Sequence, residues 1–215
     1  MNLLTNPILF FEFVVMGLVL ASIYALMAMG LTLVYSILKV VNFAYGEVYM
    51  IGGYTLYYFV SLLGLPTIVG LPAAALTGFA LSIFLEKAIV NDVYRKEIDR
   101  PIEYVVLGTF AASVLLQNVA IFFFNPFLKP TAPLVEGKVS FITFTLSYDR
   151  IAAVLVALVS LTALYFFLHK TWIGRTWLAV AQNREGAKIV GIDVDRVGMI
   201  SFGVAGSLGA LAGAV

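Results

Sequence analysis

Long apolar stretches constrain the fold of this chain more than any other feature of its sequence. The first of them, residues 8–38, contains a single charged residue, Glu12, near its start. A helix needs about 20 apolar residues to cross a bilayer, because it rises about 1.5 Å per residue and the hydrocarbon core is roughly 30 Å thick. Lipid offers the backbone no hydrogen-bond partners, and a helix satisfies its own. The stretches therefore predict membrane-spanning helices.

Six apolar stretches are predicted to cross the membrane, which makes the fold an all-α, polytopic transmembrane helical bundle. They cover residues 8–38, 48–65, 67–85, 104–128, 151–168 and 197–215. Charged residues make up only 12% of the chain, against about 25% in a soluble domain. The formal net charge of +1 excludes the strongly basic surface of a nucleic-acid-binding protein.

Lysine and arginine residues concentrate in two of the segments between these spans. Residues 87–103 carry four of them, and residues 169–196 carry five. Cytoplasmic loops are enriched in basic residues, so both segments are predicted to face the cytoplasm. Counting back along the spans places the N-terminus outside.

The first span is predicted to be followed by a break in the helix. The segment Val-Val-Asn-Phe-Ala-Tyr-Gly, residues 40–46, lies between Lys39 and Glu47, and Asn42 and Gly46 are poor helix formers. A break at membrane depth occurs where protein or a water-filled cavity surrounds it, and such breaks often form the solute site. The break is therefore either a re-entrant element or an ordinary cytoplasmic turn with both charges in water.

The basic segment before the last span has the pattern of a short helix on the cytoplasmic face. Asn183 is a suitable N-cap, and Glu185 falls in the first turn, where a negative charge is favourable. Gly191 suits the left-handed backbone that ends a helix. Such a helix is suited to docking in a groove of a partner, but these caps fit a plain surface loop as well.

The block GLTLVYSILKVVNFAYGEVYMIGGY, residues 30–54, resembles the permeases of bacterial and archaeal high-affinity branched-chain amino acid ABC importers. The matching positions are Gly30, Asn42, Phe43, Ala44, Gly46, Tyr49, Met50 and either Gly52 or Gly53. Position 45 is Tyr here, where that family commonly has His. The resemblance assigns the substrate pathway to Asn42, Phe43, Tyr45, Gly46 and Glu47.

A second part of the resemblance lies in residues 170–196. ABC import permeases carry a Glu-Ala-Ala-x-x-x-Gly motif on the coupling helix that inserts into the ATPase subunit, and here Gly186 replaces its first Ala. The resemblance makes residues 170–196 a cytoplasmic coupling segment. The residues it assigns to coupling are Arg175, Glu185, Gly186, Ala187 and Gly191.

The resemblance covers essentially the whole chain and implies one transmembrane permease domain, residues 1–215. The implied function is translocation of branched-chain or other hydrophobic amino acids across the plasma membrane of a bacterium or archaeon. The implied partners are a second permease subunit, two ATPase subunits that bind Mg-ATP, and an extracellular solute-binding protein. That family normally has further spans, and the Gly-rich last span ends uncapped at Val215, so we expect the chain to be truncated at its C-terminus.

Two other functions remain open at this stage. One is a urea or short-amide permease of the same family, and the other is an ATP-independent carrier or channel, which leaves the motif at Glu185 unexplained. An enzyme is not expected, because the sequence has no G-x-x-x-x-G-K-[ST] phosphate loop, no G-x-S-x-G and no H-E-x-x-H. With one histidine and no cysteine, neither a metal site nor a bound cofactor is expected in this chain.

Overall fold

The computed structural model is a bundle of long helices, described for residues 7–95, 100–124, 133–135, 137–141 and 144–215. Within these ranges, five helical stretches are long and apolar enough to cross a membrane. They are Phe10–Leu38, Thr67–Tyr94, Pro101–Phe124, Tyr148–Lys170 and Val194–Ala214. The prediction of a helical membrane bundle is confirmed.

The elements follow one another along the chain with short connections. They are α1 (Pro7–Leu38), α2 (Tyr45–Leu56), α3 (Thr67–Leu85), α4 (Asp92–Arg95), α5 (Pro101–Phe124), β1 (Lys138–Phe141), β2 (Phe144–Ser147), α6 (Tyr148–Lys170), α7 (Trp172–Gln182), α8 (Arg184–Ile189) and α9 (Val194–Ala214). Two π-helical segments extend this set, with Tyr57–Leu62 continuing α2 and Glu86–Asn91 joining α3 to α4.

The second expected span, residues 48–65, is observed as α2 together with the π-helical segment that follows it. The two contribute 12 and 6 residues. At about 1.5 Å per residue they extend about 27 Å, slightly less than a hydrocarbon core of roughly 30 Å. This stretch therefore falls short of a regular span, which explains why only five helical stretches in the described residues meet the criterion for crossing.

Helix α9 lies at the centre of the described bundle and packs against α1, α2 and α3. Its small residues allow the backbones to approach closely. A Cβ atom placed on Gly213 would collide with the carbonyl oxygen of Tyr49 in α2, and one placed on Gly206 would collide with Ser82 in α3. The Gly-rich face of the last span thus finds its partner helices within this chain, in the close packing that small residues provide in lipid.

Helices α5 and α6 lie towards the outside of the described bundle. Helix α6 packs on α1 and α7, whereas α5 contacts α2 and α4. Between them β1 and β2 form an antiparallel hairpin in which Lys138 pairs with Ser147. The sequence pattern had indicated only a proline-containing loop here, so this small sheet is an addition to the expected all-α fold.

The two basic segments meet at the same end of the bundle. The Tyr94 hydroxyl, in α4, donates a 3.4 Å hydrogen bond to the carbonyl oxygen of Leu38, where α1 ends. The Arg184 guanidinium, in α8, lies 4.9 Å from the centre of the Tyr94 ring. The ends of α1 and α4 and the start of α8 therefore lie together, as the alternation of spans requires.

Candidate functional site

The break between α1 and α2 is real and is largely enclosed by protein. Helix α1 ends at Leu38, and Lys39 adopts the left-handed backbone conformation, with φ 57°. Lys39 is exposed, but Val40 and Ala44 are buried and Asn42 is only 4% exposed. The segment therefore runs back into the bundle and is not a turn that lies wholly in solvent.

Asn42 shapes the break through its own side chain. Its Oδ1 atom accepts a 3.0 Å hydrogen bond from the Ala44 backbone N–H, and its carbonyl oxygen accepts a 3.4 Å bond from the Tyr45 N–H. Asparagine forms such turns because its side chain bonds to the backbone two residues on. Asn42 thus sets the direction in which α2 begins.

Phe43 joins the break to α5. Its backbone N–H donates a 3.3 Å hydrogen bond to the Thr109 hydroxyl oxygen, and its half-exposed ring meets the Phe110 ring edge-on, with the ring centres 6.5 Å apart. Thr109 lies eight residues after Pro101, the first residue of α5. At about 1.5 Å per residue this places the contact about 12 Å along that helix, which is membrane depth.

Glu47 carries the charge nearest to this contact. The Ser113 hydroxyl, one turn beyond Thr109 in α5, donates a 3.0 Å hydrogen bond to Glu47 Oε1. The Glu47 side chain is half-buried between α2 and α5. An ionisable group at this depth is costly in lipid and normally faces protein or water. The orientation of Glu47 towards α5 agrees with that expectation.

Tyr45, by contrast, packs inside the bundle. Its side chain is 3% exposed, and its hydroxyl donates a 2.9 Å hydrogen bond to the carbonyl oxygen of Ala205 in α9. The ring lies between Gly30 of α1 and Gly209 of α9. Gly46 is exposed, and a Cβ atom there would meet nothing within 4 Å.

The five residues assigned to the pathway therefore divide into two groups. Asn42 and Tyr45 stabilise the start of α2 from within. The other three lie on a surface that we call the α2–α5 face, formed by Phe43, Gly46, Glu47, Phe110 and Ser113. The sequence analysis did not single out the α5 members, and the available signal was a pair of hydroxyl residues one turn apart, Thr109 and Ser113, in an apolar span.

The coupling segment has the caps that the sequence predicts. The Asn183 side chain accepts a 2.9 Å hydrogen bond from the Gly186 backbone N–H and so caps α8. Gly191 has φ +86°, and its N–H donates to the Lys188 carbonyl oxygen at 3.0 Å, while the Ile192 N–H donates to the Ala187 carbonyl oxygen at 3.0 Å. This pair of bonds is a Schellman motif, which ends a helix sharply.

The residues assigned to coupling lie on both sides of α8. Ala187 is buried and holds the helix to the bundle, while Glu185 and Gly191 are exposed and Gly186 is partly exposed. Arg175 lies apart from them, exposed on α7.

Two apolar side chains at the end of α8 were not anticipated. They are Ile189, which is 86% exposed, and Val190, which is 75% exposed. Neither stands out in a sequence rich in such residues, so only the structure identifies them.

Sequence comparisons place the chain among transport permeases. A family profile described as "Branched-chain amino acid transport system / permease component" matches residues 13–215. The high-affinity branched-chain amino acid transport system permease protein BraD of Pseudomonas aeruginosa is 30% identical over 207 residues, which cover 91% of this chain and 67% of that protein. The corresponding permease protein LivH of Salmonella typhimurium is 31% identical over 209 residues, covering 92% and 67%.

An archaeal relative shows the same extent of similarity. The probable branched-chain amino acid transport permease protein LivH of Methanocaldococcus jannaschii is 26% identical over 202 residues, which cover 92% of this chain and 63% of that protein. No solved structure matches the chain significantly.

Proposed function

This chain belongs to the family of permease components of branched-chain amino acid transport systems, and we propose that it carries a branched-chain amino acid, or another hydrophobic one, across the plasma membrane. As a member of that family it is a membrane-spanning permease subunit of an ABC importer. The substrate, the path and the partners are argued below from the residues.

The α2–α5 face is the proposed path. The observation that carries this proposal is the hydrogen bond between Ser113 and Glu47, which fixes a carboxylate beside a half-open apolar surface at membrane depth. A carboxylate at this position attracts the ammonium group of an amino acid, and the rings of Phe43 and Phe110 offer apolar contact to its side chain. Urea carries no charge and gains less from the carboxylate, so the face favours an amino acid over a short amide.

The proposed assembly contains a second permease subunit, two ATPase subunits and an extracellular solute-binding protein. A second permease that covers the α2–α5 face would enclose the path between the two subunits. The basic segments at one end of the bundle support a cytoplasmic position for α4 and α8 and an external N-terminus. In this proposal Mg-ATP binds and is hydrolysed in the ATPase subunits.

Helix α8 is the proposed coupling element. Glu185, together with the exposed Ile189 and Val190, presents a small mixed surface of the kind that docks in a groove of a partner. In this proposal its movement reaches the break through two contacts: Arg184 lies over the Tyr94 ring, and Tyr94 bonds to Leu38 at the end of α1. ATP-driven closure of the ATPase subunits would thus shift the segment from which α2 begins.

Reconstitution tests the proposed substrate and path together. Proteoliposomes that contain the permease and its partner subunits should accumulate labelled leucine in the presence of Mg-ATP and should not accumulate labelled urea or acetamide. Accumulation of urea instead would assign the chain to the short-amide transporters, and uptake without ATP would identify an independent carrier. Substitution of Glu47 by Gln should lower leucine uptake at least about tenfold if the carboxylate pairs with the ammonium group.

The matched control for this test is Glu103→Gln. Glu103 is an exposed glutamate in the first turn of α5, outside the α2–α5 face, where it pairs with Arg100 at 3.6 Å. Its substitution removes the same charge and should leave uptake unchanged. Equal loss in both variants would indicate a general effect of charge and would count against the proposed path.

A further inference from the structure

A second polar site lies at the end of the bundle where α8 meets the helix that follows α3. It is a cleft of about 410 Å³, within the roughly 300–1,000 Å³ range of small-molecule sites. Five charged side chains line it together with the ring of Tyr94. They are Glu86, Arg184, Glu185, Lys188 and Asp195. The cleft shares no residue with the α2–α5 face.

Glu86 is the unusual member of this set. The residue is only 3% exposed, although it lines the cleft, and its Oε2 atom has no hydrogen-bond partner among the residues that the structure describes. A buried carboxylate oxygen without a partner is unfavourable, because water has been removed and nothing replaces it. The position therefore suits a donor that enters the cleft from outside the protein.

The opposite charge lies on α8. Arg184 and Lys188 are one turn apart and both line the cleft, so they share a side of the helix. Arg184 is already shared with Asp195, whose carboxylate oxygen lies 3.7 Å from the guanidinium nitrogen. Lys188 is exposed, and its ammonium group is the more accessible positive charge.

We propose that this cleft binds a zwitterion, with the ligand's primary ammonium group at Glu86 and its oxyanion at Lys188 and Arg184. A metal ion alone would be repelled by the two basic side chains, and a simple anion would be repelled by the three acidic ones. A ligand that carries both charges satisfies both sides of the cleft. The same chemistry is offered by a free amino acid and by the headgroup of phosphatidylethanolamine.

The depth of the cleft admits both sources. Glu86 lies 19 residues after Thr67, the first residue of α3. At about 1.5 Å per residue this is about 29 Å, close to the thickness of a hydrocarbon core of roughly 30 Å. Glu86 is therefore at the boundary between lipid and water, where a headgroup and a solute in water both have access.

Binding of a free amino acid is measured with the purified chain in nanodiscs of phosphatidylcholine, whose headgroup has no N–H donor. Labelled leucine should bind, whereas leucinamide, which lacks the carboxylate, and N-acetylleucine, which lacks the ammonium group, should not compete. Glu86→Gln and Lys188→Gln should each weaken binding about tenfold, and Glu103→Gln should not. Equal competition by leucinamide would show that only the ammonium is recognised and would overturn the proposal.

Binding of the lipid is measured in nanodiscs that contain equal amounts of phosphatidylethanolamine and phosphatidylcholine. Native mass spectrometry should show phosphatidylethanolamine retained by the chain and lost in Glu86→Gln. Retention in one experiment or the other identifies the source. If neither leucine nor phosphatidylethanolamine depends on Glu86, the proposal is wrong.

These outcomes are separate from those that test the transport path. A leucine signal that falls in Glu47→Gln but persists in Glu86→Gln belongs to the α2–α5 face and counts against a free amino acid in the cleft. Leucine binding that depends on Glu86 in a permease that does not transport leucine would support the cleft while refuting the proposed substrate.

Discussion

The hydroxyl of Tyr45 donates a 2.9 Å hydrogen bond to the backbone carbonyl oxygen of Ala205, and this bond joins the first turn of α2 to the middle of α9. The ring fits because Gly30 and Gly209, on either side of it, have no side chains. A histidine at this position, which the resembling family commonly has, would leave part of that space empty. The aromatic ring and the two glycines therefore form one unit of packing.

Substitution of Gly30 by Ala should destabilise the fold by about 1–3 kcal/mol, because its Cβ atom would collide with the Tyr45 hydroxyl. The second-nearest atom is Tyr45 Cζ, 2.9 Å away, so removal of the hydroxyl relieves the worst contact but not all of it. The double variant Gly30→Ala with Tyr45→Phe should therefore be more stable than the sum of its single changes. Thermal unfolding in detergent measures this coupling. Gly46→Ala is the control, and strict additivity would contradict the packing described.

Substitution of Asn42 by Leu should impair uptake while the chain still assembles with its partners. Leucine has nearly the same size but no acceptor for the Ala44 N–H, and the loss of such a capping bond costs about 1 kcal/mol. Asn42→Ser keeps an oxygen that bonds the backbone more weakly, so its uptake should be intermediate. Transport assays on assembled complexes give the comparison. Normal kinetics in Asn42→Leu would reduce the break to a simple turn.

Reversal of charge at Glu185 should separate ATP hydrolysis from uptake or abolish copurification of the ATPase subunit. The change Ile189→Asp should have the same effect, because it places a charge in the exposed apolar end of α8. The matched control is Glu103→Lys, at the same end of the bundle but on α5. Pull-down and ATPase measurements on the complex give the answer. Intact coupling in both α8 variants would exclude α8 as the docking element.

Gly191 should accept Asn but not Val. Its φ of +86° is left-handed, which costs an L-residue about 1–2 kcal/mol and is worst for a β-branched side chain. Asn tolerates this conformation better, so Gly191→Asn should retain ATP-driven uptake and Gly191→Val should lose much of it. Limited proteolysis of the segment after α8 provides a structural readout. Equal uptake by the two variants would show that the end of α8 does not need this turn.

The orientation of the chain is tested by labelling of single cysteines in intact cells. A cysteine at Lys138, exposed in β1, should react with a reagent that does not cross the membrane. A cysteine at Gln182, exposed at the end of α7, should react only after the cells are opened. The reverse pattern would invert the proposed topology and move α8 away from any cytoplasmic ATPase.

Local signals in the sequence predicted helix ends well where a single residue determines the backbone. Helix α1 ends at Leu38, as expected, because Lys39 and Asn42 follow it. Asn183 and Gly191 bound α8 as their capping preferences require. Each of these features depends on residues within a few positions of one another.

Charge proved a poor guide to where a helix ends. The third apolar stretch was expected to end at residue 85, but the helical chain continues through Glu86 and Lys87 to Arg95. Charged residues mark the edge of the lipid, yet glutamate and lysine are good helix formers, so the helix continues past that edge. The β-hairpin was missed because it lies in a segment whose prolines suggested only a loop.

The contacts that build the candidate site could not be predicted from local sequence. Glu47 and Ser113 are 66 positions apart, and Tyr45 and Ala205 are 160 apart. No periodicity within one segment reports which turns of distant helices will face each other. The sequence thus identified the break and its charged residue, while the choice of α5 as its neighbour came from the structure.

The glycine contacts around α9 have a mechanical consequence. Where backbone meets backbone, as at Gly213 with Tyr49 and at Gly206 with Ser82, no flexible side chains remain to absorb sliding. The three helices α2, α3 and α9 would then travel as one rigid block during transport. The hinge must lie outside that block, in the loosely attached α5 and α6, so the carboxylate of Glu47 and the hydroxyl of Ser113 would part when the pathway changes sides.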